Sequence, residues 1–180
     1  MSNKYKHITA VGQYDENSCW AACLEWWNRS MNLVSMTQED VFDDYRLMRG
    51  AGGSLGMDGI IQIIEDPRWS MKWYAYYAGH AFTADRVKSL LASGPIYVGY
   101  WSNKLQSNHV NVIYGVSGSG SHATVSVMEP HAVPIAGDDP GYYGRHKVRK
   151  LSLYTTGEVH VGVLKGYASS GTGYDESYYY

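Results

Sequence analysis

Segments with helical patterns lie in the N-terminal half of this 180-residue chain, and most segments with strand patterns lie in the C-terminal half. The helical patterns end at Ser93-Gly94-Pro95, and the later segments are short, rich in β-branched and aromatic residues, and separated by turn residues. This segregation is typical of the α+β class rather than of the alternating α/β class. The length suffices for one well-cored domain. We therefore predict a single α+β domain over residues 1–165, with a helical half at about 13–93, a sheet half at about 94–165 and a flexible Gly/Ser/Tyr-rich tail at 166–180.

Capping residues, prolines and turn residues set the predicted bounds of the elements. Helices are predicted over about 18–29, 35–48, 57–65 and 83–93. Strands are predicted over about 69–77, 95–101, 109–116, 123–129, 147–154 and 158–164. Residues 1–12 are predicted to be a short leader or an edge strand.

Charge and composition exclude several classes of protein. The net charge of -2, with both signs interspersed, gives no electrostatic basis for binding nucleic acid or an anionic membrane. No apolar run approaches the ~18 residues of a membrane span, and residues 1–7 lack the apolar core of a Sec-type signal peptide. Two cysteines four residues apart cannot form a disulfide framework. We expect a chain that stays in the cytoplasm or leaves by a signal-less route, as many bacterial effectors do.

A cysteine stands at the predicted start of the first helix, in the segment Gln13-Tyr-Asp-Glu-Asn-Ser-Cys19-Trp20. The dipole and the unpaired N–H groups of a helix N-terminus favour a thiolate over a thiol. The side-chain amide of Gln13 can donate a hydrogen bond to the oxyanion that forms when a thiolate attacks a carbonyl. Cys19 is therefore the candidate nucleophile and Gln13 the candidate oxyanion donor, provided that the chain supplies a base.

His109 is the candidate base, because it begins the strongest strand pattern in the chain. The next turn is centred near Ser119, so a tight hairpin would place Glu129 opposite His109, within a residue or two. A carboxylate in that place can fix the tautomer of an imidazole and stabilise the imidazolium. Asn111 and His131 are near enough in the chain to be alternatives to Glu129.

Metal and nucleotide sites are disfavoured. The spacing of Cys19 and Cys23, with scattered histidines, lacks the arrangement of a zinc site, and we expect neither a metal nor a cofactor. The Gly-rich segment 50–56 lacks the Lys-Ser/Thr of a phosphate loop. It is predicted to be a turn lining a peptide cleft, with Gly52 and Gly53 as substrate contacts. Trp20, next to the nucleophile, is predicted to wall the same cleft.

Three motifs resemble the papain-like cysteine peptidase superfamily. The pattern Gln-x5-Cys-Trp-Ala around Cys19 is similar to the nucleophile segment of that family. His109, at the start of a hydrophobic strand, resembles the family's histidine strand, and Met-Glu-Pro at 128–130 stands where compact bacterial members often carry Asp-Pro. The short length suggests those compact branches, namely secreted effector proteases of the avirulence type and the peptidase domains that trim bacteriocin leaders. The resemblance covers about 10–30 and 94–130.

The resemblance implies a papain-like fold, in which an N-terminal helical lobe carrying Cys19 packs on a C-terminal antiparallel sheet carrying His109. It also implies roles for four side chains. Cys19 would be the nucleophile, His109 the general base and acid, and Gln13 an oxyanion-hole donor. Glu129 would take the orienting place that Asp or Asn usually holds.

Three classes of function fit these residues. The first is a cysteine endopeptidase that uses the Cys-His-Glu triad, as a secreted bacterial effector or toxin. The second is another thiol acyl-transfer enzyme, such as a peptidoglycan amidase, a protein deamidase or a transglutaminase. The third is a non-catalytic interaction module, which the intact Cys, His and Gln disfavour. The expected partners are a protein or peptide substrate and, for an exported protein, a secretion apparatus or an immunity protein. No nucleic acid or membrane partner is expected.

Overall fold

The computed structural model describes residues 5–33, 35–77, 81–134 and 141–165. The helices in these ranges are α1 (Cys19–Met31), α2 (Gln38–Asp44), α3 (Met57–Glu65) and α4 (Ala84–Leu90). The strands are β1 (Met71–Tyr76), β2 (Ile96–Ser102), β3 (Ser107–Ser117), β4 (Thr124–Pro134), β5 (Tyr142–Lys150) and β6 (Val159–Leu164). The strands form one antiparallel sheet in the order β1-β6-β2-β3-β4-β5. The predicted α+β class is confirmed, and the tail predicted at 166–180 lies outside the described residues.

The central helix α1 is buried from Cys19 to Asn28 and packs against β3 and β4. It begins after Ser18, whose hydroxyl accepts a hydrogen bond from the Asp15 N–H, and it ends at Asn32 in the left-handed conformation. A helix that is apolar all round belongs in a core. The Trp27 indole donates to the Pro95 carbonyl over 2.9 Å, which ties the helical half to the start of the sheet half. The position of Cys19 is therefore fixed relative to the sheet.

The two faces of the sheet carry two hydrophobic clusters. Alternation along β3 places Val110 and Val112 in the cluster beneath α1, and Ile113 in the cluster on the other face. The second cluster is covered by Val87 and Leu90 of α4. Both faces of β3 are thus buried from His109 to Tyr114, so the His109 side chain has fixed surroundings.

Three element predictions need correction. The helix predicted over 35–48 stops at Asp44, and a 3-10 turn follows at Arg46–Met48. The strand predicted from residue 69 starts at Met71, because Pro67–Trp69 forms a 3-10 turn. The strand predicted over 147–154 is displaced: β5 starts at Tyr142, and Leu151–Tyr154 is a 3-10 turn.

Residues 5–12 run beside β5 without strand pairing, so an edge strand is not formed there. The His146 ring donates to the Ile8 carbonyl over 2.7 Å. At Gly12 the backbone of this segment approaches the backbone of β5 so closely that a Cβ on Gly12 would lie 1.4 Å from the Tyr142 carbonyl oxygen. Glycine is therefore required immediately before Gln13.

The β3–β4 hairpin has a different register from the symmetrical one predicted. Val112 faces Met128, whereas the symmetrical turn would put Ser126 there. The shift arises at the tip, which contains the 3-10 turn Gly120–His122, and the bulge between Ile113 and Gly115 then moves the register back by one residue. Continued by one residue, this register sets Glu129 beside Asn111, which makes His109 and Glu129 diagonal neighbours on one face.

Candidate active site

Cys19 and His109 meet at the junction between α1 and the sheet. Cys19 is the first residue of α1 and is 7% exposed, and His109 is the third residue of β3 and is 3% exposed. Both side chains line the same cleft, and Cys19 is close enough to raise the pKa of His109. The His109 Nε2 donates to Glu129 Oε1 over 2.8 Å, so Nδ1 is the ring nitrogen left to face the thiol. The ring therefore lies between a thiol and a carboxylate.

The Glu129 carboxylate is buried and fully engaged. Its Oε1 accepts from the His109 ring and from the His131 backbone N–H over 3.1 Å, while Oε2 pairs with the Arg149 guanidinium. Burial alone raises the pKa of Glu129, but the hydrogen bond and charge of His109, and then the charge of Arg149, outweigh it and lower the pKa to about 2. Glu129 is therefore an anion at any pH at which the protein would act.

The charge state of His109 follows from the same neighbours. Burial favours the neutral ring, but Cys19 and then Glu129 favour the cation and raise the pKa of His109 to about 9. At neutral pH the ring is therefore an imidazolium held against a carboxylate. An adjacent imidazolium also favours the thiolate form of a cysteine.

Gln13 lies in the segment that leads into α1 and is buried between β4 and β5. Its N–H donates to the Pro130 carbonyl over 3.4 Å, and its carbonyl accepts from the Tyr142 N–H over 2.8 Å. Its Nε2 donates to the Asp15 carbonyl over 2.5 Å and to His131 Nδ1 over 3.1 Å. The amide is therefore beside the site, and donation to an oxyanion requires it to exchange one of these two acceptors.

Asn111 is engaged away from His109. Its Oδ1 accepts from the Tyr100 hydroxyl over 3.0 Å and from the Tyr154 hydroxyl over 2.8 Å, and its Nδ2 donates to a backbone carbonyl. These bonds satisfy the side chain within the core of the sheet. Asn111 thus supports the Tyr100 ring, which packs edge-on against His109 at 5.9 Å between centroids.

His131, the other alternative to Glu129, approaches His109 only through its ring edge. The two ring centroids are 6.3 Å apart, and the His131 ring packs on Tyr142 at 4.2 Å. Burial, followed by the charge of His109, lowers the pKa of His131, so a neutral ring can accept from Gln13 at Nδ1. His131 therefore connects Gln13 to Glu129, and Glu129 is the side chain that hydrogen-bonds to His109.

A cleft of about 350 Å³ opens beside Cys19 and His109. Its walls are mainly apolar and include Trp20, Leu55, Ile60, Trp101 and Leu105. Trp101 is 44% exposed, whereas Trp20 is buried and packs edge-on against Phe42. Among the apolar residues that line the cleft, Trp101 therefore offers the most exposed surface.

The glycine loop borders the cleft through other residues than those predicted. Ser54, Leu55 and Gly56 line the cleft, whereas Gly52 and Gly53 do not. The Gly53 carbonyl accepts from the Trp20 indole over 3.1 Å, and the Gly52 carbonyl accepts from an Asn17 amide over 3.1 Å. Both glycines have positive φ, which lets the loop turn toward α1. They hold the loop against Trp20.

Sequence reasoning did not identify Arg149 or Trp101 as site residues. A usable signal for Arg149 was the alternation Arg145, Lys147, Arg149, which aims three basic side chains at one face of β5. Trp101 carried no such signal, because its place in the cleft depends on the pairing of β2 with β3.

Searches for other kinds of site gave negative results. Among the residues that the structure describes, no group of three or more His, Cys, Asp or Glu side chains is arranged to hold a metal ion. No helix within the described ranges is long and apolar enough to cross a membrane.

The chain matches a known protein family. A family model described as papain-like cysteine protease AvrRpt2 matches residues 6–137. The matched range contains Gln13, Cys19, His109 and Glu129, and it ends before β5 with Arg149. A search of curated protein sequences found no match.

Proposed function

The chain belongs to the AvrRpt2 family of papain-like cysteine proteases, and we propose that it hydrolyses peptide bonds through Cys19, His109 and Glu129, with Gln13 as an oxyanion donor. The observation that carries the assignment is the buried 2.8 Å hydrogen bond from His109 Nε2 to Glu129, in a histidine that lines the same cleft as Cys19. A nucleophile, a base and an orienting group in this order are the parts of a thiol acyl-transfer site.

In the first step the Cys19 thiolate attacks the carbonyl carbon of the scissile peptide bond. The carbonyl oxygen becomes an oxyanion, which accepts from the Cys19 backbone N–H and from Gln13 Nε2. The N–H of the first helical residue has no intrahelical acceptor, so it is free for this purpose. The amide reaches the oxyanion by giving up its bond to Asp15 or to His131.

The His109 imidazolium then protonates the leaving amine. The C–N bond breaks, the amine departs, and an acyl group stays on Cys19 as a thioester. The neutral ring next takes a proton from water, the resulting hydroxide attacks the thioester carbonyl, and the C–S bond breaks. The products are a carboxylic acid and the regenerated thiolate–imidazolium pair.

Glu129 acts through His109 in this scheme. It holds Nε2 and so aims Nδ1 at Cys19, and its charge stabilises the imidazolium. The longer side chain, compared with Asp, suits the diagonal placement across the hairpin. The Arg149 guanidinium and the His131 N–H fix the carboxylate in turn.

We propose that the chain acts as a secreted effector or toxin that cleaves a protein of another cell, and the protease family supports the cleavage activity that this role needs. A secretion apparatus or an immunity protein is a partner class that fits this role. Expression of the active chain and of Cys19→Ala inside candidate target cells tests it: toxicity or substrate loss with the active chain alone is the expected result.

Thiol labelling tests the catalytic assignment. Cys23 is the matched control, because it is buried one turn further along α1 and donates to the Val110 carbonyl over 3.3 Å. Burial, with the charges of Cys19 and Glu129, raises the pKa of Cys23 well above its ordinary value. Iodoacetamide at mildly acidic pH should therefore label wild type and Cys23→Ala, and should leave Cys19→Ala unlabelled. Equal labelling of the two thiols would contradict the assignment.

Activity distinguishes the peptidase from the other acyl-transfer enzymes. The full chain is incubated with a peptide library and, separately, with muropeptides and with glutamine-containing proteins. Peptide cleavage by wild type and by Cys23→Ala, and none by Cys19→Ala or His109→Ala, is expected. Ammonia release without chain cleavage would indicate a deamidase instead.

A further inference from the structure

A second pocket adjoins the cleft at His109. Its volume is about 180 Å³, and its lining includes Ser102, Lys104, His109, Glu129, Lys147 and Arg149. The pocket and the cleft share two lining residues, Leu105 and His109. A substrate lying in the cleft can therefore extend past His109 into this second pocket.

Positive charge is concentrated in the second pocket, although the whole chain has a net charge of -2. Lys104, Lys147 and Arg149 line it, and among the described residues Glu129 is the one acidic residue in its lining. Glu129 is already shared between His109 and Arg149. Within the described part of the chain, neither lysine has a carboxylate within 4.0 Å, so the charges of both are left unpaired.

Unused hydrogen-bond donors accompany this charge. The Arg149 Nε is buried and has no acceptor among the described residues. Burial, followed by the charges of Arg149 and Lys104, acts against the charged form of Lys147, and its pKa is lowered although Glu129 opposes the shift. A buried donor without an acceptor costs free energy, and a lysine held against other cations does so too. An anion in the pocket would accept a hydrogen bond from Arg149 Nε and would offset the repulsion between Lys147 and the other cations.

The position of the pocket fits one part of the substrate. In the proposed mechanism His109 protonates the leaving amine, so the residues after the scissile bond depart past the His109 ring. The His109 ring lines both the pocket and the cleft, whereas Cys19 lines the cleft and not the pocket. We propose that it binds the carboxylate of an acidic residue on the leaving-group side of the scissile bond, with Lys147, Arg149 and Lys104 as its cationic partners. This inference rests on the proposed function.

A carboxylate suits these donors in size and in chemistry. The volume accommodates a side chain of two or three carbons with its carboxylate. The planar guanidinium of Arg149 and the ammonium of Lys147 are charge-assisted donors to such a group. Inorganic phosphate presents anionic oxygens like those of a carboxylate. It therefore serves as a probe for whether the pocket binds a carboxylate of the substrate or a free anion.

The test compares peptides that differ in a single charge. The full chain first digests a peptide library, and sequencing the products locates the cleaved bonds. The best substrate is then made as pairs with Glu or Gln at each of the first three positions after the scissile bond. We expect kcat/KM to favour Glu over Gln by at least roughly tenfold at one of these positions, and less in high salt.

Lysine variants assign the preference to the pocket. Lys147→Gln and the exposed Lys104→Gln should each lower the Glu-to-Gln ratio, and the double variant should bring it close to one. Lys150→Gln, an exposed change on the same strand outside the pocket, should keep the wild-type ratio. Thermal unfolding checks that the variants are folded, and Lys104→Gln tests the proposal even if Lys147→Gln does not fold.

Three outcomes would overturn the inference. Equal cleavage of the Glu and Gln peptides at all three positions refutes it and leaves the proposed function standing, since both peptides are then cleaved. No cleavage of any peptide refutes the proposed function and this inference with it. Inorganic phosphate should compete with the Glu peptide alone. Phosphate could instead change the cleavage rate of the Gln peptide as much as that of the Glu peptide, and only when Lys147 is present. In that case the pocket binds a free anion rather than a substrate carboxylate.

Discussion

Glu129 lies diagonally across the β3–β4 hairpin from His109, and its Oε1 accepts the His109 Nε2 proton over 2.8 Å. The same carboxylate receives the His131 N–H and the Arg149 guanidinium, so three donors from three positions hold one buried anion. A group held in this way cannot turn to follow the imidazole, and the imidazole must instead adopt the orientation that the carboxylate sets. The direction of Nδ1 toward Cys19 thus depends on contacts made by β5.

Glu129→Gln should weaken catalysis and change its pH dependence. The amide keeps a hydrogen-bond acceptor for His109 but removes the charge that raises the pKa of that ring, so the pKa of His109 falls. The alkaline limb of kcat/KM, expected near pH 9 in wild type, should move to lower pH. The loss in kcat/KM is expected to be roughly 10- to 100-fold. Rates measured across this pH range check both effects.

Glu129→Asp is the control for the Gln variant, because it keeps the charge and shortens the reach. It should retain the alkaline limb of wild type while lowering kcat. An alkaline limb that stays in place in Glu129→Gln would show that the carboxylate does not govern the protonation of His109.

Arg149→Met should destabilise the protein and raise the pKa of Glu129. Removing one partner of a buried ion pair leaves the other charge uncompensated, and because Arg149 is 23% exposed we expect a loss of about 2 kcal/mol in the free energy of unfolding. Lys150→Met, on the exposed side of the same strand, should change it little. Urea unfolding of both variants at neutral pH measures the difference.

The elements that local signals define could be predicted from the sequence. Ser18 before Cys19 marked the start of α1, and the Asp66-Pro67 stop placed the end of α3. These signals act within one or two turns of helix, so a single sequence carries them. The α+β class followed from the same local patterns, and the membership in the papain-like family supports it.

The register of the hairpin and the role of β5 could not be predicted in the same way. The bulge between Ile113 and Gly115 adds a residue to β3, and no turn residue in the sequence predicts it. Arg149 reaches Glu129 from a position 20 residues away, through the pairing of β4 with β5. Such pairings depend on the whole sheet. Alternating basic residues alone do not predict which carboxylate each of them pairs with.

The stability of the fold should depend on pH through His109. Its folded-state pKa of about 9 lies above the ordinary 6.5, so its contribution is fully present below pH 6.5 and is lost as pH rises through 9. The pKa of Glu129 is lowered from 4.5 to about 2, so its contribution to stability is present above pH 4.5 and is lost as pH falls through 2. Between pH 6.5 and 9 the urea midpoint of wild type should fall, and that of His109→Gln should lack this fall. Parallel curves there would contradict the assignment.

Gly12→Ala should be strongly destabilising. The added Cβ would lie 1.4 Å from the Tyr142 carbonyl oxygen, so the segment before α1 and β5 would have to separate. We expect a loss of about 3 kcal/mol or more in the free energy of unfolding. Gly157→Ala, where no atom lies within 4 Å of the new Cβ, should be neutral or slightly stabilising. Thermal unfolding of the two variants provides the comparison, and similar melting temperatures would refute the close approach at Gly12.

Trp101→Ala should weaken substrate binding without unfolding the protein. The Trp101 side chain is 44% exposed and lines the cleft that contains Cys19, so its apolar surface is available to a substrate rather than used by the core. Its removal should raise KM roughly tenfold and change kcat much less, because the indole contacts the substrate away from the reacting bond. Tyr143→Ala, an exposed aromatic outside the cleft, is the matched control and should leave KM unchanged. Steady-state kinetics on a cleaved peptide measures both constants, and an unchanged KM in Trp101→Ala would place the substrate elsewhere.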